Sequence, residues 1–389
     1  MQQIAKAAKA SLLASASMTV MAGAIIAPAL PGIGAAFAHF PSAATLAPLV
    51  LTVTSLGVAI CSLPAGLLCD RWGRKKVLLS SLILYALAGS YGYYANNLYL
   101  LLASRFALGM AVSGVMTSSN TLIADLFEGP RRLNFLGLQF AAMALSAVLF
   151  LVAGGFLAQA SWRYPFALYS LSLLVFAAVF AFIKEPPNRA APTQPDIGEK
   201  SDLQEIPAIR VTLLYATSFS GMLLFYLIAS QLPFLLKSKF ELSPPLVGAI
   251  IATSNFFGAV SGFNYNRVRQ WVSAPRAFSL GFGLIALAFS VVAHAESLPF
   301  FFIAMALSGL GSGMIGPNAN SSLADLIPSG QRGRFFGGLT TSIFIGQFLS
   351  PLSVQHAILY HGYQGFLGAF SIAAAFALLV SLLYLVRRA

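Results

Sequence analysis

Charged residues are scarce in this sequence: Asp, Glu, Lys and Arg together make up 9% of its 389 residues, where a soluble globular chain carries about 25%. So little charge cannot coat a water-facing surface. With 58% hydrophobic residues and a mean hydropathy of +0.80, the chain belongs in lipid. Acids are rarer than bases, 11 against 23, and every one falls in a loop or at the end of an apolar run, so no carboxylate lies near a membrane midplane. There are 2 cysteines, Cys61 and Cys69. On one helix they sit ~12 Å apart along the axis, beyond disulfide reach, and read as free core thiols. The 4 histidines are not spaced with cysteines or acids as ligands of one metal. No phosphate-cradling glycine loop ending in Lys-Ser/Thr is present, which excludes ATP as the driver. These absences leave no enzyme signature, no catalytic residue, no cofactor and no metal site.

What is present is apolar length. Runs fall at about Ser11–Phe37, Leu46–Cys69, Val77–Ala95, Leu98–Leu122, Phe135–Ala160, Tyr164–Ile183, Val211–Leu236, Leu246–Tyr265, Phe278–Ala293, Leu298–Leu323, Phe335–Ala357 and Phe366–Val386. Each approaches the ~20 residues a helix needs to cross the hydrocarbon, with the ninth short unless flanking residues join it. A closed barrel would instead show ~10-residue alternating segments. The expectation is an all-α membrane protein of twelve transmembrane helices.

The net charge of +12 does not call for nucleic acid, because its distribution follows the bilayer. With the amino terminus on the cytoplasmic side, 19 of the 23 bases fall inside and only Arg163, Lys237 and Lys239 outside, with Arg105 within a span. That asymmetry is the positive-inside rule, and it predicts both termini cytoplasmic in a multi-pass protein of a bacterial inner membrane. Lys6, Lys9 and Ala36-Phe37-Ala38 imitate a secretory signal, but the apolar stretch is longer than the 7–15 residues of a signal core, so it is read as an uncleaved first span.

The one long polar segment, Glu185 to Pro207, holds five prolines and five acids and reads as a cytoplasmic linker. It divides the chain into a six-helix bundle over 1–184, the linker over 185–208 and a second six-helix bundle over 209–389. At an offset of 200 residues Ala124-Asp125-Leu126 falls on Ala324-Asp325-Leu326. Gly109, Asn120, Arg132, Phe135 and Gly137 likewise fall on Gly309, Asn320, Arg332, Phe335 and Gly337. The halves are parallel repeats, pseudo-symmetric about an axis along the membrane normal. Such repeats bind substrate between the bundles near the midplane.

Between the second and third runs lies Gly66-Leu-Leu-Cys-Asp70-Arg71-Trp72-Gly73-Arg74-Lys75-Lys76. The pattern of Gly, three residues, Asp-Arg, one residue and Gly-Arg-Lys resembles the loop joining helices 2 and 3 in the major facilitator superfamily. Gly66 suits close approach of a neighbouring helix, Gly73 suits a turn, and Asp70 can meet the positive end of another helix. The resemblance covers essentially the whole chain. It implies that helices 1, 4, 7 and 10 line the cavity. It also implies that Gly66, Asp70, Arg71, Gly73 and Arg74 form a conformational latch, with Asp70 facing the start of helix 11 near Phe335.

Arg105 is the one ionisable side chain clearly inside a span. Burying a cation there costs about 2.5–3.5 kcal/mol even on the lenient insertion scale, so it needs a partner or a role. In Arg105-Phe-Ala-Leu-Gly109 it is similar to the helix-4 motif of the twelve-helix drug:proton antiporters, whose arginine is implicated in proton transfer. The first span departs from that pattern in having no carboxylate. Proton coupling would then use Asp70, Asp125 or Asp325 at the inner face, or Glu296 with His294 at the outer face, and the expected coupling set is Arg105 with Asp125 and Asp325. The fifth run departs again, keeping Gly154-Gly155 but carrying Phe150-Leu151 where exporters have Gly-Pro. The prolines of Ala27-Pro28-Ala-Leu-Pro31 and Gly346-Gln347-Phe-Leu-Ser-Pro351 do match, and they free backbone carbonyls for neighbours or substrate.

Polar side chains within spans are few and neutral. Asn120, Gln231, Asn318, Asn320 and Gln347 are the expected cavity residues among 32 phenylalanines and 13 tyrosines. The expected function is secondary active transport, proton-coupled efflux of small amphiphilic compounds by a monomer in the bilayer. A carrier importing a sugar, siderophore or organic anion with Arg105 as anion contact, and a non-transporting receptor, are the alternatives.

Overall fold

An apolar segment in lipid satisfies all its peptide groups within itself only as a helix. The computed structural model, which describes residues 6–40, 42–127, 129–185, 207–328 and 332–386, is helical almost throughout, with no strand among the described residues. The helices are α1 (Lys6–Ala36), α2 (Ala43–Trp72), α3 (Arg74–Ser90), α4 (Leu98–Leu126), α5 (Gly129–Ala160) and α6 (Tyr164–Phe182). They continue with α7 (Ala208–Phe240), α8 (Pro244–Trp271), α9 (Ala274–His294), α10 (Leu298–Leu326), α11 (Arg334–Gly362) and α12 (Gln364–Val386). Among the described residues 11 helices are long and apolar enough to cross a membrane. The short one is α3, at 17 residues, continued by a 3-10 turn over Tyr91–Tyr93. The ninth run reaches 21 residues by taking in its flanks. The linker lies almost wholly outside the described residues, which stop at Glu185 and resume at Pro207.

Boundaries follow local chemistry. Asn97 caps α4, its Oδ1 accepting from the N–H groups of Tyr99 and Leu100 at 2.8 and 3.2 Å. Gly73, at φ +97°, makes the turn between α2 and α3 in a conformation that disfavours a side chain. The Glu185 carboxylate then accepts from Lys75 N–H at 3.0 Å, capping α3 from the end of the first half. α1 is not continuous: its first segment ends at Ala24, and a 3-10 turn over Ala27–Ala29 containing Pro28 precedes Leu30–Ala36.

Packing repeats as the sequence does. A methyl added at Gly109 on α4 would overlap the Thr54 carbonyl of α2, and one at Gly309 on α10 would overlap the Ser254 carbonyl of α8. Both pairs are related by 200 residues, so one close helix crossing is built twice. One buried apolar cluster draws on α1–α6. The other draws on α7–α12 with Ala27 and Leu151 inserted.

The even number of spans puts Lys6 and Val386 at one face, here the terminal face. Away from it the halves meet. Gly155 of α5 faces Pro244 and Pro245 of α8, Gly34 of α1 faces Phe234 of α7, and Gln355 Nε2 of α11 donates to Ala44 O of α2 at 3.1 Å. Toward the terminal face they part: nothing lies within 4 Å of where a Cβ would stand on Gly66, Gly137, Gly316 or Gly337. The molecule is closed at the opposite face and open at the terminal one.

Candidate functional site

Between the halves lies a cavity of about 260 Å³. Its walls come from α1, α2, α4, α5, α7, α8 and α11, and α10 contributes none of its lining. Of the expected set, helices 1, 4 and 7 line this cavity and helix 10 does not, while α2, α5, α8 and α11 press in where the opposite face has closed. Most of the wall is apolar, with Met116, Met143, Met222, Phe225, Tyr226 and Phe344 as its large side chains. No Asp, Glu, Lys, Arg or His is among its lining residues.

Of the five expected cavity residues, Gln347 lines this space. Its Oε1 accepts from Ser55 Oγ at 2.7 Å, a buried hydrogen bond from α11 to α2 that joins the two halves. Asn318 is wholly buried elsewhere: its Oδ1 accepts from Tyr265 at 2.8 Å and its Nδ2 donates to Ala274 O at 2.8 Å, pinning α8 and the start of α9 to α10. Gln231 is buried in α7 outside the lining, and its Nε2 has no partner among the described residues. Asn120 and Asn320, the repeat-related pair, are exposed; Asn120 accepts from Gln139 Nε2 at 3.2 Å, and Asn320 donates to Gly316 O at 2.9 Å. Asn255, also polar in the sequence, lines the cavity with Thr19 and Ser254. Ser254 and Ser55 had no sequence signal beyond being hydroxyls in a span, which are usually packing groups.

Arg105 is wholly buried, and it does not line the cavity. Its Nε donates to Val50 O at 3.1 Å and its Nη2 to Ala22 O, while Nη1 has no hydrogen-bond partner among the described residues. The guanidinium stands 5.0 Å from the Tyr169 ring and 5.9 Å from the Phe166 ring. Tyr169 Oη donates to the same Ala22 carbonyl at 2.9 Å, and Tyr85 Oη to Met18 O at 2.6 Å. The break in α1 explains the acceptor. Ending the helix at Ala24 leaves the Ala22 carbonyl without its partner one turn on, and a cation and a phenol supply the bonds instead. Carbonyls and ring faces thus do the work of the absent carboxylate, and the side chain is turned inward rather than snorkelling to the membrane surface.

At the terminal face Arg74, 8% exposed, has its Nε 3.2 Å from Asp125 Oδ2 at the end of α4. The structure joins one residue of the expected latch to one of the expected coupling set. Lys75 reaches the end of α6, with Nζ donating to Phe180 O at 2.9 Å. Asp70 and Arg71 are exposed, and Asp70 has no hydrogen bond or ion pair among the described residues. Among the described residues Asp70 makes no contact with the start of α11 in this open arrangement. Asp325, the counterpart of Asp125, is exposed and has no ion pair among the described residues. The repeat is therefore chemically asymmetric at this face.

The family model described as Major Facilitator Superfamily matches residues 12–274 and 214–389. The chain is similar to the bacillibactin exporter of Bacillus subtilis (strain 168), 27% identical over 316 residues covering 78% of each. It is similar to the quinolone resistance protein NorA of Staphylococcus aureus (strain MRSA252), 26% identical over 318 residues and 78% of each. Among solved structures it superposes on a D-xylose-proton symporter with a TM-score of 0.79 at 15% identity, covering 97% of this chain and 96% of that one.

Proposed function

The chain belongs to the Major Facilitator Superfamily, and from that premise we propose that it is a proton-coupled exporter of small amphiphilic compounds in a bacterial cytoplasmic membrane, with both termini inside. As a multi-pass membrane transporter, not an enzyme, it works by binding and conformational change. The observation that carries the export reading is the cavity, which lies between the halves, is open on the terminal side and has a neutral, mostly apolar wall. A neutral amphiphile leaves water for such a wall favourably, whereas a compact ion would lose its hydration without a counter-charge. Likeness to an exporter and to a resistance protein supports the direction. The importing alternative with Arg105 as anion contact loses its support, because that side chain is committed to α1 and α2 outside the cavity.

Alternating access then means closing the terminal face and parting the opposite one, with the bundle domains over 1–184 and 209–389 rocking about the cavity. Protons are carried by the acids near the terminal face, Asp125 and Asp325 among them. The test is uptake of a panel of neutral and charged fluorescent amphiphiles into inside-out vesicles of an overexpressing strain. Accumulation of neutral compounds, abolished by collapsing the pH gradient, is expected. Accumulation insensitive to that collapse removes the proton, and no accumulation of any compound removes export.

A further inference from the structure

A second hollow lies on the outside of the second half. It is a groove of about 480 Å³ between α7 and α12, with Leu213, Thr217 and Ser220 of the one helix and Phe376, Val380 and Tyr384 of the other in its wall. The three α7 residues share one helix face, and Met222, Tyr226 and Ala229, which line the central cavity, fall on the opposite one. The groove therefore opens away from the cavity and toward the bilayer, with Phe376 and Val386 of its lining 39% and 79% exposed. Within it, Thr217 Oγ1 donates to Leu213 O at 2.6 Å and accepts from Tyr384 Oη at 2.5 Å, tying the two helices together. Ser220, 9% exposed, lines the same groove, and its hydroxyl has no hydrogen-bond partner among the described residues. A hydroxyl left unpaired at this depth is costly, and hydrocarbon alone cannot satisfy it. Toward the terminal face the stripe continues to Arg210, one turn before Leu213, which is exposed and has no ion pair among the described residues. Arg387 and Arg388 follow Val386 in the sequence.

We infer that this groove binds one anionic phospholipid of the leaflet at the terminal face, its phosphate meeting Arg210, an ester carbonyl accepting from Ser220 Oγ and an acyl chain lying along Val380 and Phe376. A phospholipid carries phosphate, ester and hydrocarbon in the order in which the groove presents base, hydroxyl and apolar wall. A free phosphate could use Arg210 but not the apolar wall. The linker that runs into α7 holds five prolines and five acids, too polar to fill such a groove. Because α7 carries the groove on one face and the cavity on the other, the lipid sits against a helix that walls the substrate space. The inference rests on the proposed function only in assigning the terminal face to the cytoplasmic leaflet, whose lipids carry negative charge.

Native mass spectrometry of the full chain, purified in detergent and titrated with single lipids, tests this. Palmitoyl-oleoyl phosphatidylglycerol is expected to bind as one saturable copy, about fivefold or more tighter than phosphatidylcholine with the same chains. Arg210→Gln should lower the first affinity about fivefold and leave the second unchanged. The diether analogue of phosphatidylglycerol, which lacks the ester carbonyls, should bind several-fold more weakly, and Ser220→Ala should erase the difference between ester and ether. Ala216→Trp, which fills the groove from an exposed position in its lining, should abolish the saturable copy. Leu382→Trp, exposed on α12 outside the lining, should keep it, and thermal unfolding of both variants checks that they fold. The Arg210 and Ser220 variants decide the matter if Ala216→Trp does not fold. Equal affinity for the two head groups, equal affinity for ester and ether, a saturable copy that survives in folded Ala216→Trp, or displacement of the lipid by glycerol phosphate overturns the inference. Binding in detergent requires neither export nor orientation. Its loss leaves the export reading standing, and a reversed topology leaves the binding standing.

Discussion

Arg74 Nε stands 3.2 Å from Asp125 Oδ2, tying the turn after α2 to the foot of α4. The pair is mostly out of water, with side-chain exposures of 9% and 20%, so removing one partner leaves the other charge poorly solvated. Arg74→Ala and Asp125→Asn should each lower stability by about 1.5–3 kcal/mol, the scale of a charge-assisted hydrogen bond. The swap Arg74→Asp with Asp125→Arg should recover part of the loss. Thermal unfolding of the detergent-purified variants, with vesicle transport alongside, reads both. A swap no better than its single variants shows that the two residues act separately.

Arg105 should matter through bonds that lysine only partly makes. Its guanidinium reaches the carbonyls of Val50 and Ala22 together and lies over the Tyr169 ring, whereas an ammonium is a point donor. Arg105→Lys should keep a measurable part of the transport. Arg105→Ala should abolish coupled export while expression stays near that of the unaltered protein. Export rates in vesicles set against protein level in the membrane decide it, and full activity in Arg105→Ala would mean that α1 holds its broken shape without this brace.

Much of this architecture is legible in the sequence, because the membrane fixes helix length and the repeat fixes pairing. The spans, the 200-residue register and the turn at Gly73 can be read from apolar length and glycine spacing. What a side chain faces is another matter. Asn318 and Gln347 look alike as amides within spans, yet one is spent joining α8, α9 and α10 while the other lines the cavity. Their difference lies in which neighbour is packed against each helix face, and that is a tertiary fact. The partners of Arg105 were hidden for a similar reason. They are backbone carbonyls, present at every residue, and only the break near Pro28 turns Ala22 into an acceptor.

Gly155 is a tight point of the closed face: a Cβ there would stand 2.7 Å from Pro244 O and 2.8 Å from Pro245 Cα, both in the other half. Gly155→Leu cannot close that face without displacing α8. The variant should rest open toward the opposite side and transport at least about tenfold more slowly, a wedge of about 1.4 kcal/mol or more against closure. A single cysteine at Asn255 should then react with an impermeant thiol reagent added outside intact cells. Protection equal to that of the unsubstituted background would show that the helices absorb the side chain.

Topology can be tested without knowing a substrate. Bases crowd the terminal face, so cysteines at Thr193 and Glu199 in the linker should be shielded from an impermeant reagent outside intact cells, and one at Ser297 should react. Labelling of the linker from outside would reverse the orientation and with it the direction of every step proposed above.

Asp70 is expected to act in the state this structure does not occupy. Here it is exposed, and no atom lies within 4 Å of where a Cβ would stand on Gly66, one turn earlier on the same helix. Closing the terminal face would bring the end of α2 toward the start of α11, where Phe335 lies in the first turn and helix N–H groups favour an anion. The contact is one-sided, because Gly66, Asp70 and Arg71 match Gly262, Asn266 and Arg267 of the second half, four residues out of the 200-residue register, so that an amide stands where this half carries Asp70. Such a bond contributes roughly 0.3–1 kcal/mol when exposed and up to ~2 kcal/mol when partly buried, enough to shift a nearly balanced equilibrium several-fold. Asp70→Asn keeps the shape and loses the charge, so it should favour the open arrangement seen here, slow transport and leave the protein folded. A reporter cysteine at Ser321, on the half of α10 toward the terminal face, should label faster in the variant when the reagent is applied from that side. Unchanged labelling together with unchanged transport would make Asp70 an ordinary loop charge, because a latch must shift the balance between the two arrangements when its charge is removed.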